Sequence, residues 1–187
     1  MRVIAGKYRS RRLKGPRLLR MRPTTDRLRE TLFNVLGPAV EESLFVDIFA
    51  GTGAVGIEAL SRGAREAIFI ESHAASARLI RQNLASLEIR GGASVIESDA
   101  MAALERLAGR RVLADFLFLD PPYAEADELL RVLEYLDGSR IVAPYGMIIA
   151  EHDERTDLPD RLHRLERIRL LEQGDTALSF YRLAAAA

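Results

Sequence analysis

Four consecutive residues, Asp120-Pro121-Pro122-Tyr123, follow an apolar run at 116–119 and combine groups that suit chemistry on an amine. The two prolines fix φ and lack an N–H donor, so the turn is rigid and its carbonyl groups can face a ligand. The Asp120 carboxylate and the Pro121 carbonyl can accept hydrogen bonds from an exocyclic amine. This favours a pyramidal nitrogen whose lone pair points at a methyl donor. Because Tyr123 offers a flat ring for stacking a nucleobase, we predict that all four residues are catalytic in methyl transfer to an amine.

A glycine-rich segment, Asp47–Gly56, lies where a predicted strand meets a predicted helix. Glycines let the backbone turn tightly and approach a ligand closely, which a Cβ atom would prevent. The spacing of Gly51, Gly53 and Gly56, with the acidic Glu71 further on, also matches the dinucleotide-binding fingerprint. An NAD-dependent oxidoreductase is therefore an alternative at this point.

Three acidic residues, Asp47, Glu71 and Asp99, lie at or near the ends of three successive predicted strands. The carboxyl ends of parallel strands meet at one edge, so these carboxylates should line one crevice. Asp47 suits the cationic amino-acid end of S-adenosylmethionine and would repel a diphosphate. Glu71 is placed for the ribose hydroxyls and Asp99 for the adenine amine. We predict S-adenosylmethionine as the cofactor, with these binding residues: Asp47, Phe49, Gly51, Thr52, Gly53, Glu71, Ser72, Asp99 and Ala100.

Apolar runs and amphipathic segments alternate from residue 44 onward, which predicts a mostly parallel sheet covered by helices on both faces. Strands are predicted at 44–49, 67–70, 93–96, 116–119 and 147–150, and helices at 54–62, 74–87, 100–108 and 126–136. The turn signal Gln173-Gly174-Asp175 separates 163–172 from 176–183 and predicts an antiparallel C-terminal hairpin at one edge.

A basic segment precedes this α/β pattern. Residues 1–22 contain nine Arg and Lys residues and no Asp or Glu, whereas the rest of the chain carries 18 basic and 27 acidic residues. Such an asymmetry predicts a polyanionic partner. We expect an extension over 1–40 and a main domain over 41–187. The predicted RNA contacts are Lys7, Arg9, Arg11, Arg12, Lys14, Arg22 and Thr24.

The extension itself has a predicted structure. Val3–Tyr8 and Arg12–Gly15 flank a polar turn and predict a short hairpin that could lie along a phosphate backbone. A capped helix should follow from Thr24 to Gly37, with an apolar stripe on one face. The stripe residues are Leu28, Leu32, Val35 and Leu36.

Composition excludes several classes of function. The 187 residues are 48% hydrophobic and 29% charged, which is ordinary for a globular fold. No run of about 18 apolar residues could span a membrane. The absence of cysteine excludes disulfides and the thiol nucleophile that pyrimidine C5 methylation uses. We expect no metal, no membrane partner, a monomer and, since no apolar signal sequence follows Met1, a cytoplasmic protein.

Together these features resemble the bacterial small-subunit (16S) ribosomal RNA guanine-N2 methyltransferases, the RsmD family. The resemblance covers essentially the whole chain and rests on five blocks: 2–11, 22–34, 46–56, 120–123, and 173–175 with Tyr181. It implies a Rossmann-like class I methyltransferase fold with seven strands and S-adenosylmethionine in the acidic crevice. It also implies that the substrate is a guanine N2 amine in 16S rRNA, within a partly assembled small-subunit particle.

Two further alternatives remain at the level of sequence. The Asp-Pro-Pro-Tyr string also serves DNA adenine-N6 methyltransferases, although these usually carry a sizeable recognition region for which this chain has no room. A non-catalytic RNA-binding assembly factor that kept the fold is the other alternative.

Overall fold

The chain forms two compact units, Met1–Ala100 and Met101–Ala187. The structure, a computed structural model, describes residues 1–15, 25–121 and 126–185. Within these ranges no helix is long and apolar enough to cross a membrane.

The first unit opens with residues 1–15, called the basic loop below, and continues with alternating helices and strands. Its helices are α1 (Asp26–Leu36), a 3-10 turn (Gly37–Val40), α2 (Ala54–Ser61) and α3 (Ala74–Ser86). Its strands are β1 (Leu44–Ile48), β2 (Glu66–Glu71) and β3 (Ala93–Glu97). β2 pairs in parallel with both β1 and β3, so the carboxyl ends of all three strands lie at one edge.

Helix α1 begins as predicted but buries a different face. Thr25 caps it, since its Oγ1 accepts a hydrogen bond from the Leu28 N–H at 3.1 Å. The buried side chains include Arg29 and Phe33, whereas Val35 is only half-buried. The predicted apolar stripe was therefore wrong in part. A pattern of apolar residues cannot identify a buried arginine as part of the packed face.

The basic loop departs from the predicted hairpin. A single antiparallel bridge joins Arg2 and Arg12, and the Val3 N–H donates to the Arg11 carbonyl at 3.0 Å. Residues 4–8 were predicted as part of a strand and do not form one. The N–H groups of four of them donate to side chains or carbonyls of α2 in place of a partner strand; these are Ile4, Ala5, Lys7 and Tyr8.

The second unit holds the remaining elements. These are α4 (Ala100–Gly109), which starts at the boundary, β4 (Ala114–Leu119), α5 (Ala126–Gly138), β5 (Val142–Asp153), β6 (Leu165–Gln173) and β7 (Thr176–Leu183). β4 and β5 are parallel, whereas β7 runs antiparallel to both β5 and β6. The predicted C-terminal hairpin is thus confirmed.

Strand β5 is much longer than the apolar run at 147–150. It contains a bulge, because Ala114 pairs with Val142 while Phe116 pairs with Met147. Its polar end, Glu151-His152-Asp153, pairs with β7. Pairing with β7 thus extends the strand beyond its apolar centre.

The seven strands follow the sheet order β3-β2-β1-β4-β5-β7-β6. Three pairings of neighbouring strands described above are parallel and two are antiparallel. The predicted fold class, a mostly parallel seven-stranded α/β sheet with an antiparallel C-terminal hairpin, is confirmed.

Candidate active site

The glycine-rich segment forms a tight turn between β1 and α2, called the cofactor loop below (Phe49–Gly53). Gly51 and Gly53 adopt φ of 54° and 74°, in the left-handed region that glycine tolerates. Phe49 has φ of 64° although it is not glycine. The Gly53 N–H donates to the Ala50 carbonyl at 2.7 Å, which closes the turn. A strained non-glycine residue at this position indicates a backbone that the surrounding structure holds in place.

Two buried carboxylates hold this loop. Asp47, 2% exposed, accepts a hydrogen bond from the Gly56 N–H at 2.9 Å, in the first turn of α2. Glu71, 6% exposed, accepts from the Gly51 N–H and the His73 N–H, each at 2.8 Å and on a different oxygen. The Gly51 amide of the cofactor loop and the Gly56 amide of α2 therefore donate to the protein's own acids. Each carboxylate oxygen has two lone pairs, so a carboxylate can accept more than one hydrogen bond.

The other predicted cofactor residues follow β2 and β3. Ser72 is exposed, and its Oγ lies 3.2 Å from His73 Nδ1. Asp99 is exposed and Ala100 is buried. The Ser98 N–H donates to the Glu71 backbone carbonyl at 3.1 Å, so the exit of β3 lies beside the exit of β2. The first unit thus brings Asp47, Glu71 and the cofactor loop together, with Asp99 close in sequence to this edge.

The second unit contains the start of the Asp-Pro-Pro-Tyr motif. Asp120 is half-buried and Pro121 is buried, directly after the buried end of β4. Pro122 and Tyr123 lie outside the described residues. The register of β4 and β5 pairs Leu119 with Ala150, so the next residue of β5, the buried Glu151, lies at the same end of its strand. The apolar pattern of β5 contained no signal for this carboxylate.

The basic loop is fixed to α2 through a buried carboxylate that the sequence analysis missed. Glu58 is fully buried and accepts from the Ile4 N–H at 2.8 Å and the Ala5 N–H at 3.0 Å. Arg62 Nε donates to the same carboxylate at 2.8 Å. Glutamate on a helix usually faces solvent, so the sequence contains no signal for this role.

Ser61 and Gly6 provide a second point of attachment. The Lys7 N–H donates to the Ser61 carbonyl at 2.7 Å, and the Tyr8 N–H donates to Ser61 Oγ at 2.9 Å. Gly6 has φ of 79°, and a Cβ atom there would lie 1.8 Å from the Ser61 carbonyl oxygen. Only glycine permits this approach of the loop to the helix.

A buried arginine completes the attachment. Arg29 Nη2 donates to the Arg2 carbonyl at 2.6 Å and to Asp26 at 3.0 Å, and Arg29 Nε lies 3.9 Å from Glu58. Burial lowers the pKa of Arg29, while the carboxylates of Asp26 and Glu58 oppose that shift. Nε and Nη1 of Arg29 make no hydrogen bond in the described structure. This cation therefore depends on the two carboxylates near it.

The predicted RNA-contacting side chains project from this fixed backbone. The exposed cations of the basic loop are Arg2, Lys7, Arg9, Arg11, Arg12 and Lys14. The Arg11 guanidinium also donates to the Ser86 carbonyl at 2.9 Å, and the Lys7 ammonium lies 5.4 Å from the Tyr8 ring centroid. The predicted contacts Arg22 and Thr24 lie outside the described residues. In the part of the chain that is described, no cluster of three or more His, Asp or Glu could hold a metal ion.

Comparisons with known proteins identify close relatives. The model of the family described as conserved hypothetical protein 95 matches residues 1–182. Ribosomal RNA small subunit methyltransferase D of Escherichia coli K12 is 38% identical over 159 residues, which cover 85% of this chain and 78% of that protein. The protein of the same name from Haemophilus influenzae is 34% identical over 184 residues, covering 98% and 92%.

A solved structure is similar over the full length. It is that of yhhF from Escherichia coli, by its name a candidate methyltransferase, with a TM-score of 0.85 and 33% identity. The match covers 100% of this chain and 99% of that one.

Proposed function

The chain belongs to the RsmD family, described as conserved hypothetical protein 95, and we propose that it methylates the exocyclic N2 amine of a guanine in 16S rRNA with S-adenosylmethionine as donor. The observation that carries this proposal is sequence similarity. It extends over 85% and 98% of this chain in the comparisons with two proteins named ribosomal RNA small subunit methyltransferase D. The particular residues of this chain then supply a physical account of each part of the reaction.

The acidic cofactor loop supports S-adenosylmethionine over a dinucleotide. A dinucleotide site of the Rossmann type uses free loop amides and a helix N-terminus to bind a diphosphate. Here the amides of Gly51 and Gly56 already donate to Glu71 and Asp47. Two buried carboxylates would repel a diphosphate and favour a ligand with a cationic end. Asp47, Phe49, Gly51, Thr52 and Gly53 would hold the methionine part.

The remaining cofactor residues would hold the nucleoside part. Glu71 has acceptor capacity left for the ribose hydroxyls, and its position is set by two backbone donors. Ser72 follows it directly. Asp99 would accept from the adenine amine, and the buried Ala100 follows it in the sequence. When bound, S-adenosylmethionine supplies an electrophilic methyl group on a sulfonium.

Asp120 and Pro121 would orient the amine. A guanine N2 nitrogen is a poor nucleophile because its lone pair is delocalised into the ring. Hydrogen bonds from its N–H groups to the Asp120 carboxylate and the Pro121 carbonyl favour the pyramidal form. In this form the lone pair would face the methyl group that a bound donor supplies, and Asp120 or water would take the proton that leaves the amine. Pro122 would stiffen the turn, and Tyr123 would stack the base.

The basic loop would bind the rRNA backbone. Its exposed cations suit phosphate contacts, which position a protein on RNA without reading sequence. Glu58 and Ser61 hold the backbone of residues 4–8, next to these cations. We extend the same role to Arg22 and Thr24 from the sequence alone. An assembled particle suits a chain of this size, because it presents a preformed shape.

The test is an in vitro reaction with methyl-labelled donor and three substrates: small ribosomal subunits, naked 16S rRNA and duplex DNA. Digestion and mass spectrometry of the nucleosides should find N2-methylguanosine in rRNA. Label only in DNA, as N6-methyladenine, would refute the proposal and support the DNA alternative.

One variant separates catalysis from binding. Asp120→Ala should abolish methyl transfer, with a loss of at least about 100-fold from positioning and electrostatics, while calorimetry still detects S-adenosylhomocysteine binding. Asp127→Ala, a nearby exposed carboxylate on α5, serves as the matched control and should keep full activity. Full activity of the Asp120 variant would contradict its catalytic role.

A further inference from the structure

We propose that Asn83 is a positioning residue that links the basic loop to the cofactor loop, so that rRNA and the methyl donor each strengthen binding of the other. The inference rests on the function proposed above for these two segments. It assigns a role to a residue that neither the motifs nor the predicted contacts include.

The contacts of Asn83 reach both loops at once. Its side chain is fully buried on α3. Oδ1 accepts from the Lys14 N–H at 2.8 Å, while Nδ2 donates to the Lys14 carbonyl at 3.1 Å and to the Thr52 carbonyl at 3.0 Å. One amide thus pairs with both backbone groups of Lys14 in the basic loop and with the middle of the cofactor loop. Both N–H donors of the amide are used in these two contacts.

Apolar packing joins the same two segments independently. Val3 and Leu13 of the basic loop belong to a buried cluster that also contains Ala50 and Ala54, which lie within and just after the cofactor loop. The Sδ atom of Met1 lies 3.7 Å from Thr52 Oγ1. A close-packed contact of this kind transmits displacement, since interiors contain few voids that could absorb it.

These contacts imply coupling between the two ligands. RNA bound to the cations around Lys14 would restrict the backbone that Asn83 holds. The Thr52 carbonyl accepts a hydrogen bond from the same Asn83 side chain, so its motion would be restricted as well. A methyl donor that binds the ordered cofactor loop then loses less conformational entropy on binding. RNA therefore raises the affinity for the methyl donor, which is positive cooperativity. By linkage, the donor must increase the affinity for RNA by the same factor.

The test measures the dissociation constant of S-adenosylhomocysteine with and without saturating 16S rRNA transcript or small subunits. For the wild type we expect rRNA to tighten binding by about fivefold or more. Asn83→Ala should still bind each ligand, but the ratio of the two constants should fall to about one. Gln82→Ala, an exposed neighbour on α3, is the matched control and should keep the wild-type ratio.

Hydrogen exchange on the wild-type protein covers the case in which Asn83→Ala does not fold. S-adenosylhomocysteine alone should slow exchange of the Lys14 amide, which donates to Asn83, and of the Val3 amide in the basic loop. Two results would overturn this inference and leave the proposed function intact. One is unchanged hydrogen exchange in the basic loop when S-adenosylhomocysteine binds. The other is a wild-type protein that binds both ligands but has the same dissociation constant for S-adenosylhomocysteine with and without rRNA. Failure of the wild type to bind either ligand would instead refute the proposed function, and the inference with it.

Discussion

Removing the carboxylate of Glu58 should destabilise the protein through the basic loop. In Glu58→Ala the amides of Ile4 and Ala5 and the Arg62 Nε lose their acceptor. Arg29, fully buried, loses one of its two neighbouring carboxylates. Hydrogen bonds to a charged group contribute about 1.5–3 kcal/mol each and are not additive. Breaking a buried charge pair costs about 3–5 kcal/mol, and we expect a loss in unfolding free energy of that size.

The assay is urea unfolding followed by circular dichroism, together with thermal unfolding. For a chain of this length, a loss of that size lowers the melting temperature by about 6–20 °C. Glu30→Ala, an exposed glutamate on α1, is the matched control and should change the unfolding free energy by less than about 0.5 kcal/mol. If Glu58→Ala were as stable as this control, the buried carboxylate would not hold the loop, and the reasoning would be refuted.

Two further predictions concern charge. Replacing Arg9, Arg11 and Arg12 with Gln should weaken rRNA binding and lower the slope of log affinity against log salt by about two, as measured by filter binding at several salt concentrations; an unchanged slope would exclude phosphate contacts at these positions. Burial lowers the pKa of His152 below its ordinary value of 6.5, and its Nε2 lies 2.9 Å from Ser179 Oγ. The folded state therefore favours neutral His152, so its contribution to stability is complete above pH 6.5 and is lost as pH falls below that value. The urea midpoint should drop between pH 7.5 and 5.5 by more in the wild type than in His152→Gln, and equal drops would contradict this assignment.

Much of the fold was predictable because its strands are apolar and its helices amphipathic. The predicted bounds of β1 and α2 differ from the observed ones by one residue. β5 was predicted at a third of its length, because the irregular segment 142–146 precedes the apolar run and Glu151-His152-Asp153 follows it. Those polar residues become strand only through pairing with β7, which is a tertiary effect that local pattern does not contain.

The candidate site was predictable where a residue type is needed by the chemistry. Acids after parallel strands and the Asp-Pro-Pro-Tyr string can be recognised from position and type alone. The residues that hold the site in place could not be found in this way. Arg29, Glu58 and Asn83 each lie on a helix, where polar residues usually face solvent, yet all three are fully buried. Each of the three contacts at least one backbone group of residues 2–14, which is distant in sequence and has no side-chain signature.

This arrangement separates the stability of the basic loop from its charge. The loop is attached through its backbone amides and carbonyls, to Glu58, Ser61 and Asn83. Its Arg and Lys side chains therefore remain exposed and carry little of the folding energy. Changing those side chains should alter RNA binding with little effect on unfolding, whereas changing the buried anchors should affect both. A loop held only by surface ion pairs would show no such separation, because each charge would then serve folding and binding together.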